Sequence, residues 1–391
     1  MTIASEITKL QNNLSDSYTA CQSKGATMPT NQNFDNLADT IESITSGETF
    51  IGIPREISTD GKFQMPTNNF TFSLPNGATD LGANAMEYAF YKCTALTSVD
   101  LSSLTTASGT QAMNEAFRFC TALTSVDLSS LITASNNVMG NAFRDCTSLT
   151  SVDLSSLRTI SGISAMNYTF CNCTALTSVD LSSLTTVKGS NAMSYAFQGC
   201  TSLTSVNLSS LTNISSSGAM TNTFYKCTSL TSVDLSGLTD VTGTSAMNNT
   251  FHDCTALTNI KFTNLKKIGN NGSVTDYGHL TQCFNNCNNL TSITFPNLEK
   301  IYCTGGTSTA YGTFTNNTKI QKMYFPKLDT ITYGSGASTS YQNACKNIFY
   351  GCSALTELHF ASANRSAIEA TAGYSTAWGR GAGNVTIYFD L

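Results

Sequence analysis

From residue 93 the chain settles into one order of apolar and polar positions and keeps returning to it. The first full copy reads CTALTSVDLSSLTTA, with apolar side chains at Leu96, Val99, Leu101 and Leu104. Side chains alternate faces along a strand, so Val99 and Leu101 share one face and Asp100 points to the other. A variable stretch rich in Gly, Ser and Thr follows, and then AMNEAF leads to the next cysteine. In that segment Ala112 and Ala116, and likewise Met113 and Phe117, are four apart, a spacing that predicts a single helical turn. The phrase-opening cysteines are Cys93, Cys120, Cys146, Cys173, Cys200, Cys227, Cys254, Cys287 and Cys352, and the steps between the first eight are 27, 26, 27, 27, 27, 27 and 33 residues. Asn317 opens a further copy 30 residues after Cys287, and Cys352 follows 35 later.

A unit this short cannot bury its apolar face alone, but stacked on its neighbours it can, and like residues then form interior columns. One column is Met86, Met113, Met139, Met166, Met193, Met220 and Met247. A second runs through Phe90, Phe117, Phe143, Phe170, Phe197, Phe224 and Phe251, on through Phe284, Phe314 and Phe349. The predicted fold is a solenoid of about ten coils, with short strands and single helical turns. The cysteine stands three residues after the column Phe and three before the column Leu, where the chain turns into the strand. A small, weakly hydrogen-bonding apolar side chain suits such a buried corner. Zinc needs four ligands converging on one point, whereas a column supplies one thiol per coil. The close pairs Cys171/Cys173 and Cys283/Cys287 have no second pair or histidine at ligand spacing.

The motif A-F-x-x-C-T-x-L-T-S-V-x-L, as in YAFYKCTALTSVDL and YAFQGCTSLTSVNL, resembles the BspA-like class of bacterial leucine-rich repeats, over residues 70–360. The resemblance implies a curved right-handed solenoid and a binding, non-catalytic role, with the ligand left open. The longer units here imply a longer variable loop per coil.

The ends differ in character. Ile3, Ile7, Leu10, Leu14 and Cys21, and then Phe34, Leu37, Ile41 and Ile44, follow three- and four-residue spacings that predict two helices over residues 1–45. This segment reads either as a cap on the first coil or as an attachment and oligomerisation module, and it resembles short N-terminal pieces of phage and prophage tail proteins. Residues 46–69 are turn-rich and read as a connector with one or two strands. Residues 361–391 read as a C-terminal cap, with NVTIYFDL as a last strand and Trp378 closing the core.

Composition narrows the function. Charged residues are only 12% of the 391, and the net charge is −5 with no basic cluster, which argues against nucleic-acid binding. No run of 18 apolar residues exists, so no transmembrane helix is expected, and the start shows no basic cluster followed by an apolar stretch, so no secretory signal is read. Fourteen cysteines tied to a period point to reduced, buried thiols rather than a disulfide framework. His252, His279 and His359 lie whole coils apart, with no nucleophile motif beside them; no enzyme is expected.

Two surfaces stand out for binding. Asp100, Asp127, Asp153, Asp180 and Asp234, with Asn207 among them, fill the same outward slot. At about 4.8 Å per coil neighbouring carboxylates would repel by roughly 1–3 kcal/mol, which water and salt, bonds from the flanking serines, or weakly bound calcium must offset. Beyond Cys254 the units lengthen, and the insertions NNGSVTDYGHLTQ, CTGGTSTAYGT and YGSGASTSYQNA fall at one phase of the coil. They bring Tyr277, His279, Tyr311, Tyr333 and Tyr341 to one side, with Tyr324 in the former Asp slot. Tyrosine among small polar residues is the composition of binding loops. The expected role is recognition of a bacterial cell-surface glycan or protein receptor by a component of a phage or prophage-derived particle. Such a component is assembled in the cytoplasm and docked to tail or baseplate proteins through its N-terminal helices, as a homo-oligomer if the stripe bundles. The alternative is a bacterial surface adhesin or interaction scaffold.

Overall fold

Each copy of the phrase contributes one short strand to a parallel sheet, and each Thr-Thr-Ala-like segment after it contributes one to a second. The computed structural model describes residues 56–57, 63–64, 68–74, 78–269, 279–303, 313–333, 351–370 and 385–391. The first sheet has eight strands, from Phe70–Ser73 to Asn259–Lys261, and a four-stranded sheet, from Ser292–Thr294 to Thr386–Phe389, continues in sequence after it. The second wall is a single nine-stranded sheet from Thr106–Ala107 to Thr330–Tyr333. Register pairs like with like: Ser98 with Ser125, Val99 with Val126, Asp100 with Asp127. The first coil begins one step earlier, where Phe72 pairs with Val99. Before it, Glu56–Ile57 and Phe63–Gln64 form an antiparallel pair. The molecule is a leucine-rich-repeat solenoid.

The Met/Phe segments form the third wall, and here the structure departs from the helical turn expected. The N–H groups of Met86, Tyr88 and Phe90 cross to the carbonyls of Ala112, Asn114 and Ala116 in the next coil, at 2.7–3.0 Å. The N–H groups between them close β-turns within their own coil, Ala85 to Gly82, Glu87 to Asn84 and Ala89 to Met86. Every fourth residue, as at Asn84, Tyr88 and Lys92, has φ between 55° and 60°. The reason is pitch. An α-helix is about 10–12 Å across, twice the spacing of adjacent strands, so helical coils could not stack at the separation both sheets impose. A ribbon of β-turns is thin enough, and it shares half its hydrogen bonds with its neighbour. Among the described residues the one α-helix is Arg365–Glu369, which buries Ile368 and lies against the strand Thr330–Tyr333.

The interior columns are continuous. Successive rings from Phe90 to Phe314 stack with centroids 5.0–5.5 Å apart and planes within 12° of parallel. The column methionines Met86 to Met247 are all buried. In the later coils Phe262, Phe295, Phe325 and Phe360 replace the second column leucine and stack in turn at 5.3–5.4 Å. Phe349, Trp378 and the helices expected over residues 1–45 lie outside the described residues.

The cysteines are held by more than their size. Cys120 Sγ donates to the carbonyl of Phe90 in the preceding coil at 3.1 Å, and Cys146, Cys173, Cys200, Cys227, Cys254 and Cys287 repeat the bond to the next column Phe in turn. Eleven of the described cysteines, the nine column residues with Cys171 and Cys283, are buried free thiols. Burial pushes Cys146 and Cys352 up to about 12 and Cys171 to about 11, and holds the other column thiols from Cys120 to Cys287 well above the ordinary thiol range. The reactive species is the thiolate, so at pH 8 only about one Cys171 in a thousand is ionised, and fewer of the column thiols. Native protein treated with iodoacetamide at that pH should leave the column peptides unlabelled by mass spectrometry, and denaturant should make them react. Labelling of Cys146 or Cys200 at the denatured rate would contradict this packing.

Candidate functional site

The strands that bury Val99, Val126, Val152, Val179 and Val206 turn the residues on either side outward. Two rows result, one of serines from Ser98 to Ser205 and one of Asp100, Asp127, Asp153, Asp180 and Asn207, and together they line an open groove of about 960 Å³. The carboxylates are oriented by their own chain. Each Oδ1 accepts from the backbone N–H two residues on, Asp100 from Ser102, Asp127 from Ser129, Asp153 from Ser155, Asp180 from Ser182 and Asp234 from Ser236, at 2.9–3.0 Å. Asn207 accepts from Ser209 in the same way, which explains why an uncharged residue serves in this slot: the slot needs an oxygen. The Ser102 hydroxyl and N–H hold the Asp100 carboxyl below the usual range, and the Ser182 N–H and hydroxyl do so for Asp180. At Asp234 partial burial pushes upward, and the Ser236 bonds together with Lys261 outweigh it. These bonds favour the ionised form against the repulsion between neighbours.

Beyond Asp234 the slot changes chemistry. Lys261 pairs with Asp234 in register and its ammonium lies 3.5 Å from Oδ2. Thr294, Tyr324, His359 and Tyr388 then occupy the slot in the four-stranded sheet. The change coincides with a break. The ladder stops between Asn259–Lys261 and Ser292–Thr294, leaving an open cleft of about 260 Å³ beside Lys261, Thr263, Ser292 and Pro296, while the nine-stranded sheet passes the same point unbroken.

Of the ligand candidates beyond Cys254, Tyr324 stands half-buried on the outward face, and Tyr333 ends a strand paired with Cys303. His279 is corrected: it is 1% exposed and its Nδ1 donates to the Gly243 carbonyl at 2.8 Å, so it packs inside the turn wall rather than at a binding surface. Tyr277, Tyr311 and Tyr341 lie outside the described residues. Asp390 and Glu357, which flank His359, were not singled out from sequence. Aligning NVTIYFDL with LTELHF would have placed Tyr388 beside His359, since the two pair in register. Among the described residues no three His, Cys, Asp or Glu side chains gather where they could hold a metal ion.

The family comparison agrees with this architecture. A family profile described as BspA type Leucine rich repeat region (6 copies) matches residues 59–193, 164–273 and 280–376. No curated protein sequence matches. Among solved structures, a leucine-rich repeat protein from Bacteroides ovatus is 17% identical over 83% of this chain and 94% of its own, with a TM-score of 0.32. The T. pallidum leucine rich repeat protein is 20% identical over 61% and 87%, with a TM-score of 0.31. A leucine rich cell surface protein from Faecalibacterium prausnitzii is 17% identical over 81% and 95%, with a TM-score of 0.28.

Proposed function

Because the chain belongs to the BspA-type leucine-rich repeat family, we propose that it is a non-catalytic recognition protein, the receptor-binding or host-surface-binding component of a phage or prophage-derived particle. The observation that carries the recognition role is the outward groove: side chains fixed by backbone bonds on a stacked scaffold, presented without a break from Ser98 to Asn207. Rigid presentation lowers the ordering cost of binding. The buried reduced thiols support assembly in a reducing compartment, which suits a particle built in the cytoplasm. In this reading the Asp row acts as a solvated acidic face without bound calcium. The tyrosines of the insertions, Tyr277, Tyr311 and Tyr341, extend the contact to a bacterial cell-surface glycan or protein receptor, and residues 1–45 dock the chain to tail or baseplate proteins and pair it with further copies.

Alanine at Tyr277, Tyr311 and Tyr341 together should weaken binding to cells of the host strain at least tenfold, a loss of about 1.4 kcal/mol, which a single tyrosine hot spot among the three, at about 2 kcal/mol, would exceed. Unchanged binding would remove the insertions from the contact surface. The same groove also supports a bacterial surface adhesin or interaction scaffold, and immunogold labelling separates the two, by decorating particles in one case and intact cells in the other.

A further inference from the structure

The last two strands of the four-stranded sheet meet across a histidine whose ring nitrogens both face carboxylates. His359 Nδ1 lies 2.9 and 3.2 Å from the two Asp390 oxygens, and Nε2 lies 3.0 Å from Glu357 Oε2. Lys322 Nζ reaches the same Glu357 oxygen at 2.8 Å. Tyr324 and Tyr388 stack on the two faces of the ring, at 4.8 and 4.9 Å. The charged and titratable groups around it are therefore Lys322 and Tyr324 from one neighbouring strand, Glu357 from its own, and Tyr388 and Asp390 from the last. Arg365 sits over the Phe389 ring and pairs with Glu369.

An ionised carboxylate only accepts hydrogen bonds, and neutral imidazole has one N–H. The neutral ring therefore satisfies one of these contacts and turns a lone pair toward the other, whereas imidazolium donates to both. We propose that His359 is a protonation-operated clasp: doubly protonated, it ties Asp390, and with it the terminal strand Thr386–Phe389, to the strand Glu357–Phe360, and loss of the proton releases the tie. The protonated group of four is balanced, Lys322 and His359 against Glu357 and Asp390; the deprotonated one carries a net negative charge. The sign follows from which form the geometry holds. The tie is present while the ring carries both protons and is lost when either one leaves. Release is local, because Leu391 N–H still donates to the Phe360 carbonyl and Ser362 N–H to the Leu391 carbonyl. Its consequence is that Tyr388, already 39% exposed, and the face of His359 beneath it become accessible on the outward side of the array at higher pH.

Hydrogen exchange on the full chain, at about pH 5.5 and about pH 8.5 and corrected for intrinsic rates, tests this. Protection of the 386–391 amides should fall about three- to tenfold at the higher pH, a range kept low by the solvent around Asp390, while the strand Ser178–Asp180 is unchanged. His359→Asn should hold the terminal strand at the lower protection at both values, and Asp390→Asn, which alters only the partner, should flatten the response as well. Nitrogen-15 spectra, with the His359 signal assigned by its loss in His359→Asn, should show both ring nitrogens protonated at the lower pH. Equal protection of the parent chain at the two values, a pH response surviving in both variants, or a neutral ring at the lower pH would each overturn the clasp.

Discussion

Phe197→Ala is expected to lower the unfolding free energy by about 3–5 kcal/mol, the range for removing a buried aromatic ring from a packed core. Phe197 is fully buried and stacks on Phe170 at 5.3 Å and on Phe224 at 5.5 Å, both nearly parallel. Its loss opens a cavity and also strips one face from each neighbouring ring, and the two sheets and the turn wall, all bonded coil to coil, resist collapse into the gap. Each coil touches only the next, so the column carries much of the coupling between the two halves of the array. The urea transition should therefore broaden or split as well as move to lower concentration, because two-state behaviour in a repeat array depends on that coupling. Phe119→Ala, on the half-buried turn face, is the control and should shift the midpoint little. A loss below about 1 kcal/mol for Phe197→Ala would mean that the column is not what joins the coils.

The coil order, the register and the columns were legible because they are written at a fixed step: Val99, Val126 and Val152 recur at the same phase, and a parallel sheet lays them side by side. The turn wall was not legible from spacing alone. Met113 and Phe117 are four apart both on a helix and on a ribbon of alternating β-turns, and what decides between them is the separation of neighbouring coils, which no single unit contains. A partial local signal did exist: some of the positions with positive φ carry Asn, as at 84, 141, 172, 191, 222 and 249, or Gly, as at 199, 218 and 351, the residues that enter the left-handed region most easily, but Tyr88, Lys92, Glu115 and Phe119 stand at the same phase and hide it. Asp100 was placed outward correctly by alternation, with Ser98 and Ser102 foreseen as sources of hydrogen bonds; its bond to the Ser102 N–H is the turn an aspartate makes with the backbone two residues on. His359 was read only as one of three histidines set whole coils apart, because Asp390, 31 residues away, becomes its neighbour only through the last strand pairing. The exceptional insertion residue, His279, misled because a polar side chain inside a loop-like sequence reads as exposed, whereas the turn wall supplies the Gly243 carbonyl that lets it be buried.

The second large effect concerns why a cysteine opens each copy, and the copy that opens with Asn317 instead provides the test. Size and apolarity explain a small residue at a buried corner, but alanine would meet those needs as well. The thiol adds a donor aimed at the column Phe carbonyl of the coil before, and where Asn317 takes the slot its Nδ2 donates to that same position, the Phe284 carbonyl, at 2.7 Å, and to Phe314 O at 2.7 Å. Asn317→Ala should cost about 2–3 kcal/mol, from hydrogen bonds lost in a fully buried site and from the cavity left behind. Asn317→Cys should instead fall within about 1 kcal/mol of the parent. The thiol can restore the bond to Phe284, as Cys352 makes it to Phe314 at 2.9 Å, and the exchange removes Asn317 Oδ1, a buried oxygen with no hydrogen-bond partner among the described residues, whose desolvation is otherwise uncompensated. Asn317→Leu fills the volume without a donor and should resemble alanine rather than cysteine. Urea midpoints for the three variants separate the two explanations: if cysteine is as damaging as alanine while leucine is tolerated, the slot selects for shape alone, and the chain of thiol-to-carbonyl bonds is incidental to the stacking of the coils.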